Sequence, residues 1–132
     1  MSTLQDFLIE NQIGDVKDEI IVSPRLKGRP FSIRAMTGDE FNSYQKAATK
    51  VHKGKRVDFD NARFQEMVII NHTTEPNFRD AEFIKRAGCA TPGQLLNKVL
   101  LAGEMAELSS KITELSGFDV ELDEMVEEAK NS

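Results

Sequence analysis

The sequence predicts an α+β fold that is predominantly α-helical, with an N-terminal β-hairpin packed on a bundle of about four to six helices. Two β-rich runs, 19–23 and 31–36, flank a segment that contains two prolines and a glycine, as in a hairpin. Apolar residues then recur every three or four positions, and helix-start signals precede several of these segments. At 132 residues we expect one domain, 1–132, with an acidic C-terminal helix or tail at 119–132.

The first predicted elements are a short helix and the hairpin. Ser2 or Thr3 can cap a helix over residues 2–10, whose apolar side holds Leu4, Phe7 and Leu8. The hairpin follows, with a loop longer than two residues between its strands. Residues 31–36 alternate between apolar and polar side chains, which predicts a strand with one buried face.

Three helices are predicted between the hairpin and residue 88. The first starts at a capping box formed by Thr37 and Glu40 and runs to Gly54, with Lys46, Lys50 and Lys53 along its outer face. The second is capped by Asp58 or Asp60 and ends before Pro76. The third spans 80–87, where acidic residues near its start and basic residues near its end complement the helix dipole.

Residues 91–118 form the most apolar and most periodic part of the chain. Thr91 and Gln94 make a second capping box, with Pro92 at the first helical position. An unbroken helix over 92–116 would be about 37 Å long, while Gly103 predicts a kink or break. We call the following residues, spaced by three or four, the apolar ridge: Leu101, Met105, Leu108, Ile112, Leu115 and Phe118. The ridge is a candidate surface for partner binding and self-association, and equally a candidate core helix.

Charge is unevenly distributed along the chain. The net charge is −5, and residues 119–132, with six acidic residues and one basic residue, alone carry −5. The remainder is balanced, yet residues 25–56 hold nine basic residues against two acidic ones. Such asymmetry can steer a partner or pair the tail of one copy with the middle of another, although charge runs commonly form plain solvated faces.

A basic patch is the second candidate site, and it consists of Lys46, Lys50, Lys53, Lys55 and Arg56. These side chains can neutralise phosphates, so a small nucleic-acid-binding regulator is an alternative function. The patch has no interleaved aromatic residues and the protein is acidic overall, which disfavours nucleic acid as a partner.

No constellation of residues predicts catalysis or a metal site. A catalytic centre needs a nucleophile or an acid–base pair held by other groups, so we predict no catalytic residue, metal or cofactor. His52 and His72 are interpreted as surface or capping residues, and Cys89 as a small semi-buried residue. A single cysteine favours a reducing compartment.

The longest apolar runs, 67–70 and 99–102, are far shorter than the roughly 20 residues of a membrane span, so no membrane partner is predicted.

Two segments carry a family resemblance. The sequences FSIRAMTGDEF (31–41) and EPNFRDAEFIKRAGCATPGQLLNKVLLAGEMAELSSKITELSGF (75–118) resemble the tail assembly chaperones of Gram-positive phages and phage-like elements, the XkdN-like group of PBSX type. The shared marks are a Pro-x-Phe element, a Leu-Leu-x-Gly-Glu element and the final Ser-Gly-Phe. One departure is Ala102, where the family pattern has a proline before Gly-Glu.

The resemblance implies a non-enzymatic role in the assembly of long phage tails. Such proteins bind the tape measure protein in the cytoplasm of the bacterial host and are absent from the mature virion. We therefore expect a tape measure protein as partner, a homo-oligomer, and a host-cytoplasmic location. A long, helical and hydrophobic tape measure would aggregate if left unprotected, and an apolar helical surface can cover it. A structural tail component is the remaining alternative.

Overall fold

The computed structural model describes residues 3–54 and 56–118. The predicted acidic helix or tail at 119–132 and the basic-patch residue Lys55 lie outside these ranges. The described chain is a mixed α+β structure, 56% helical, with small antiparallel sheets and six α-helices, so the predicted fold class is confirmed. The elements are α1 (Leu4–Glu10), β1 (Lys17–Ile20), β2 (Phe31–Arg34), α2 (Gly38–Ala48), β3 (Thr49–Val51), β4 (Val57–Phe59), α3 (Asn61–His72), β5 (Thr73–Glu75), α4 (Ala81–Arg86), α5 (Pro92–Val99) and α6 (Ala102–Leu115).

The larger sheet has the strand order β1-β2-β5. β1 and β2 pair antiparallel with Ile20 opposite Phe31, which confirms the predicted hairpin, although its first strand covers Lys17–Ile20 and not 19–23. A short 3-10 helix at Pro24–Leu26 lies in the hairpin loop. The third strand was not predicted. It pairs with β2 on the side away from β1, with Ile33 opposite Thr73 and an irregularity in the register beside it. A three-residue strand that directly follows a helix carries too little periodicity to be recognised in a sequence.

The predicted helix starts are confirmed by their hydrogen bonds, but the capping box predicted at α5 forms only in part, because Gln94 Oε1 accepts from the Ala90 N–H and not from the Thr91 N–H. In α2 the Glu40 N–H donates to Thr37 Oγ1 at 3.1 Å, and the Thr37 N–H donates to Glu40 Oε1 at 3.0 Å. Asp60 caps α3 by accepting from the Arg63 N–H, and Thr91 caps α5 by accepting from the Gln94 N–H. Each of these capping bonds joins residues three apart, so the local sequence determines it.

The helix that starts at Thr37 does not extend to Gly54 as predicted. α2 ends at Ala48, and Thr49–Val51 form β3, which pairs with β4 in a second, two-stranded sheet. Lys50 faces Asp58 across this hairpin, and Val51 faces Val57. The β-branched residues at 49, 51 and 57 favour extended backbone, and the cross-strand pairs hold it.

The long apolar stretch forms two helices. The chain leaves α5 after Val99, passes through extended residues 100 and 101, and enters α6 at Ala102. The predicted break is confirmed, but it lies two residues before Gly103 because Leu101 is the residue at the N-cap of α6. The Leu101 N–H donates to Glu104 Oε1 at 2.8 Å and fixes this turn.

An ion pair joins the β1–β2 loop to this turn. Arg25 donates from Nε to Glu104 Oε2 at 2.7 Å and from Nη2 to Oε1 at 2.6 Å, and Nη2 also donates to the Val99 carbonyl at 2.8 Å. The Glu104 side chain is only 3% exposed. The hydrogen bonds from Arg25 lower the pKa of Glu104 to about 2, against the opposing effect of burial. The pair therefore fixes the loop to the α5–α6 junction.

The core lies where α3, α6 and the larger sheet meet. α6 packs along α3 and contacts both β1 and β2. The predicted buried face of the second hairpin strand is confirmed at Phe31, Ile33 and Ala35, which are 5%, 1% and 3% exposed. The buried apolar cluster consists of Phe31, Ile33, Met36, Val68, Ile69, Phe78, Leu95, Leu96, Met105, Leu108 and Ile112.

Candidate partner-binding surfaces

The apolar ridge is divided between core and surface. Met105, Leu108 and Ile112 are buried in the cluster between α6 and α3, while Leu115 and Phe118 are half-buried. Leu101 differs from the rest because it lies in the α5–α6 turn and is 58% exposed. In this fold the three buried residues already have partners within the chain. Only Leu101 offers most of its side chain to another molecule.

The largest run of exposed apolar side chains along the described chain lies in a segment that we call the N-terminal arm, residues 4–21, which includes α1 and β1. Its exposed members are Leu4, Phe7, Leu8, Ile9, Ile13, Val16 and Ile21. The arm is held to the fold by the pairing of β1 with β2 and, just before β1, by the Ala35 N–H, which donates to the Val16 carbonyl at 2.9 Å. Clusters of exposed apolar side chains often mark surfaces that bind another molecule, so the arm is a candidate binding surface.

Helix α1 is the most exposed part of the arm. Thr3 and Asp6 cap it reciprocally, and it contains no buried residue. Phe7, Leu8 and Ile9 are 56%, 62% and 73% exposed. Isolated helices shorter than roughly 12–15 residues are marginal in water, so a seven-residue helix needs tertiary contacts to be stable. The sequence indicated the apolar side of this helix but not that it would be left without a cover among the described residues.

The basic patch lies around the β3–β4 hairpin rather than along one helix. Lys46 is in the last turn of α2, Lys50 in β3, Lys53 in the hairpin turn and Arg56 just before β4. Acidic residues of the same hairpin accompany them. Lys50 Nζ is 4.0 Å from Asp60 Oδ2, Arg56 Nε is 3.4 Å from Asp58 Oδ1, and His52 Nε2 is 2.9 Å from Asp58 Oδ2. The hairpin therefore remains basic, but part of its charge is locally balanced.

His72, the last residue of α3, belongs to a buried polar cluster, so its predicted surface position is wrong. His72 is 0% exposed, and its Nε2 is 2.8 Å from the Tyr44 hydroxyl and 3.7 Å from Glu40 Oε2. Glu40 also accepts a hydrogen bond from Arg34 at 3.2 Å. Burial, aided by the nearby Arg34 charge, lowers the pKa of His72 to about 4. The imidazole is therefore neutral in the folded protein near pH 7.

This pKa predicts a loss of stability in mild acid. The unfolded chain takes up a proton at His72 near its ordinary pKa of 6.5, whereas the folded chain does so only near 4. The contribution is complete above pH 6.5 and is lost as pH falls towards 4. We expect the free energy of unfolding to drop by about 2 kcal/mol from pH 7 to pH 5 through this residue.

Urea unfolding at a series of pH values checks this expectation. His72→Phe should flatten the dependence between pH 7 and pH 5, because the variant has no imidazole to protonate at this buried position. The lowered pKa of Glu40 keeps that carboxylate ionised across most of this range, so its own titration lies at lower pH. An equally steep dependence in the His72→Phe variant would contradict the assignment.

A groove of about 410 Å³ lies between α3 and the start of α5. Its walls carry Arg63, Glu66, Met67, Ile70, Asn71, Arg79, Thr91, Pro92 and Gly93.

Within residues 3–54 and 56–118, no group of three or more His, Cys, Asp or Glu side chains is placed to hold a metal ion. Over the same part of the chain, no helix has the length and apolar character to cross a membrane.

These features define a small α+β protein with exposed apolar and basic surfaces suited to binding other chains. A family model for the phage XkdN-like tail assembly chaperone protein matches residues 4–130. The chain belongs to the XkdN-like phage tail assembly chaperone family. This confirms the family resemblance noted in the sequence.

Two relatives and one solved structure support the assignment. The phage-like element PBSX protein XkdN of Bacillus subtilis (strain 168) is 30% identical over 107 residues, covering 77% of this chain and 72% of XkdN. The protein YqbN of the same strain is 29% identical over the same lengths. The crystal structure of YqbN superimposes with a TM-score of 0.69 at 26% identity, covering 90% of this chain and 99% of that chain.

Proposed function

We propose that this protein binds the tape measure protein during phage tail assembly and keeps it soluble without catalysing a reaction. The family supplies the role in tail assembly. The observation that carries the finer proposal is helix α1, whose Leu4, Phe7, Leu8 and Ile9 are 56–73% exposed. An amphipathic helix of this kind can pack against an apolar helical client.

The N-terminal arm takes the role in client binding that the sequence suggested for the apolar ridge. Met105, Leu108 and Ile112 cannot reach a client without opening the core, because each is 8% exposed or less. Leu101 remains available at the edge of the ridge and is retained in the proposal. Homo-oligomerisation along the client and a location in the host cytoplasm, outside the mature virion, complete the proposal.

Coexpression with the tape measure protein encoded by the same phage or prophage tests client binding. The wild-type protein should shift the client from the insoluble to the soluble fraction. The variant L4S/F7S/L8S should weaken client binding on the order of 30-fold or more, because the loss of even one apolar hot-spot residue from an interface costs about 2 kcal/mol. The matched control V51S/V57S removes two exposed apolar side chains from the hairpin and should bind normally.

Folding and composition controls complete this test. None of the altered arm residues is buried, so urea unfolding should change by less than about 0.5 kcal/mol. A client that precipitates equally with and without the wild-type protein would contradict the chaperone proposal. Normal solubilisation by the arm variant would contradict only the assigned surface. Detection of the protein in purified particles would favour a structural tail component.

The nucleic-acid alternative has weaker support from the geometry. Asp58 and Asp60 lie beside the basic side chains of the hairpin, where they oppose binding of phosphates. Salt-dependent DNA or RNA binding that is lost in K50E/R56E would establish that alternative.

A further inference from the structure

The groove beside α3 combines apolar side chains with two arginines. Met67 and Ile70, three residues apart on α3, line it together with Pro92 at the start of α5, and all three are half-buried. Arg63 and Arg79 line the same groove and are exposed. Its volume of about 410 Å³ is within the range of roughly 300–1,000 Å³ that is common for binding pockets. The groove can therefore hold an apolar side chain and an anionic group side by side.

Arg79 is held in place at this groove. Asn71 Nδ2 donates to the Met67 carbonyl at 2.7 Å, which fixes the Asn71 side chain, and Asn71 Oδ1 accepts a hydrogen bond from Arg79 Nη2. Because a guanidinium has five N–H donors, Arg79 keeps donors for a further acceptor. Among the described residues, no carboxylate lies within ion-pair distance of Arg63 or Arg79. Both guanidiniums can therefore accept a carboxylate from another molecule as partner.

One acidic side chain of the described residues lines the groove, and it is held within the chain. Glu66 Oε1 accepts a hydrogen bond from Asn97 Nδ2 at 3.1 Å. Gly93 leaves room for this carboxylate, because a Cβ at position 93 would be 2.6 Å from the same oxygen. With two arginines and one glutamate among its lining residues, the groove carries a net charge of +1, which favours an acidic occupant.

The N-terminal arm has the complementary charge. Residues 1–16 contain Asp6, Glu10 and Asp15 and no basic side chain, so their side chains carry −3. The Asp6 carboxylate is already used within the helix, where it accepts from the Thr3 N–H at 3.3 Å. Glu10, the last residue of α1, is exposed and has no ion-pair partner among the described residues. Its carboxylate is therefore available to another molecule.

Glu10 and Ile9 form a side of α1 that differs from its main apolar side. Successive residues of an α-helix are turned by about 100°, so Ile9 projects about 160° away from Phe7. Ile9 is 73% exposed, and Glu10 follows it on the side opposite to Leu4 and Leu8. We call Ile9 and Glu10 the acidic side of α1. The substitutions L4S/F7S/L8S lie on the other side of the helix.

The groove of a second copy fits this side of α1. In the described fold no residue of the arm lines the groove of its own chain. The arm joins the larger sheet at one edge, β1, whereas the chain that leaves the other edge, β5, leads to Arg79 and the groove. We propose that the acidic side of α1 docks in the groove of a second copy. Glu10 pairs there with Arg63 and Arg79, and Ile9 packs on the apolar side chains of the groove.

This contact joins two different surfaces, so it is head-to-tail and can repeat from one copy to the next. In such an array Leu4, Phe7 and Leu8 of each copy stay uncovered, because they lie on the opposite side of α1. The inference rests on the self-association included in the proposed function and assigns two surfaces to it. It requires no client, so the association can be measured on the protein alone.

Sedimentation velocity of the full-length protein without client measures the association. The contact involves one short helix, so we expect a Kd of about 100 µM and a mean mass that rises with concentration. E10R and R63E/R79E should each weaken the association at least about tenfold, because like charges then face each other. All three altered residues are exposed, so urea unfolding should show that both variants remain folded.

An equimolar mixture of E10R and R63E/R79E is the most specific test. In the mixture, the arm of each variant meets a groove of opposite charge on the other variant. Association should therefore return to within about threefold of the wild type. The matched control K85E/R86E reverses two exposed basic residues of α4 that do not line the groove, and it should associate like the wild type. L4S/F7S/L8S should also associate normally.

Three results would overturn the proposal. The first is a wild-type protein that stays monomeric up to about 500 µM. The second is a mixture of the two charge variants that associates no better than each variant alone. The third is association that is lost in L4S/F7S/L8S but kept in R63E/R79E, which would place the interface on the other side of α1. None of these results bears on the coexpression test, so the client-binding proposal stands or fails separately.

Discussion

Replacing Leu108 with alanine is expected to lower the free energy of unfolding by about 3 kcal/mol, whereas Leu101→Ala should cost less than about 1 kcal/mol. Both residues belong to the apolar ridge, but Leu108 is 0% exposed and Leu101 is 58% exposed. The first substitution leaves a cavity between α6 and α3, while the second removes side-chain atoms that are largely in water. The contrast separates the core part of the ridge from its accessible edge.

Urea unfolding of the two variants beside the wild-type protein measures this contrast. Ile112→Val provides a smaller core change and should cost about 1 kcal/mol. The slope of the unfolding free energy with urea should be the same in all variants if the folded state is preserved. Equal and small effects at positions 101 and 108 would mean that the ridge is not packed in the core. In that case the whole ridge would be accessible to a partner.

The ridge shows what a periodic pattern can and cannot predict. The recurrence of Leu101, Met105, Leu108 and Ile112 correctly indicates one apolar face of a helix. The pattern alone does not say whether that face meets the chain's own α3 or another molecule, because both bury apolar area in the same way. Helix α1 is the converse case, since its apolar side was apparent in the sequence while its exposure depends on the packing of the whole fold.

Local and long-range interactions account for the other differences between sequence and structure. The helix starts at Thr37, Asp60 and Thr91 were predictable because a side chain caps a backbone N–H three residues away. The burial of His72 was not, since Tyr44 is 28 residues distant in the chain. The β3–β4 hairpin was misread because Val51 fits the helical spacing of α2 as well as the cross-strand pair with Val57.

Arg25→Ala is expected to lower the free energy of unfolding by about 3 kcal/mol, an effect as large as that of Leu108→Ala. The substitution leaves the nearly buried Glu104 carboxylate without the guanidinium that accounts for its lowered pKa, and an uncompensated buried charge commonly costs about 3–5 kcal/mol. The lower end of this range applies because the Arg25 side chain is 44% exposed, so water can partly replace it. The loop after β1 also loses its hydrogen bond to the Val99 carbonyl.

Glu107→Ala is the matched control for this prediction. Glu107 forms an exposed pair with Lys111 at 3.9 Å on the same helix, and its loss should change stability by less than about 0.5 kcal/mol. The double variant R25M/E104L should recover much of the stability lost in Arg25→Ala, because replacing both members of a buried pair with apolar residues removes the unpaired charge. Chemical unfolding of the four proteins at pH 7 distinguishes the outcomes. If Arg25→Ala lowers the free energy of unfolding by less than about 1 kcal/mol, hydration alone is enough to stabilise the Glu104 carboxylate. The loop would then be held by the packing of Leu26 and its neighbours and not by the ion pair.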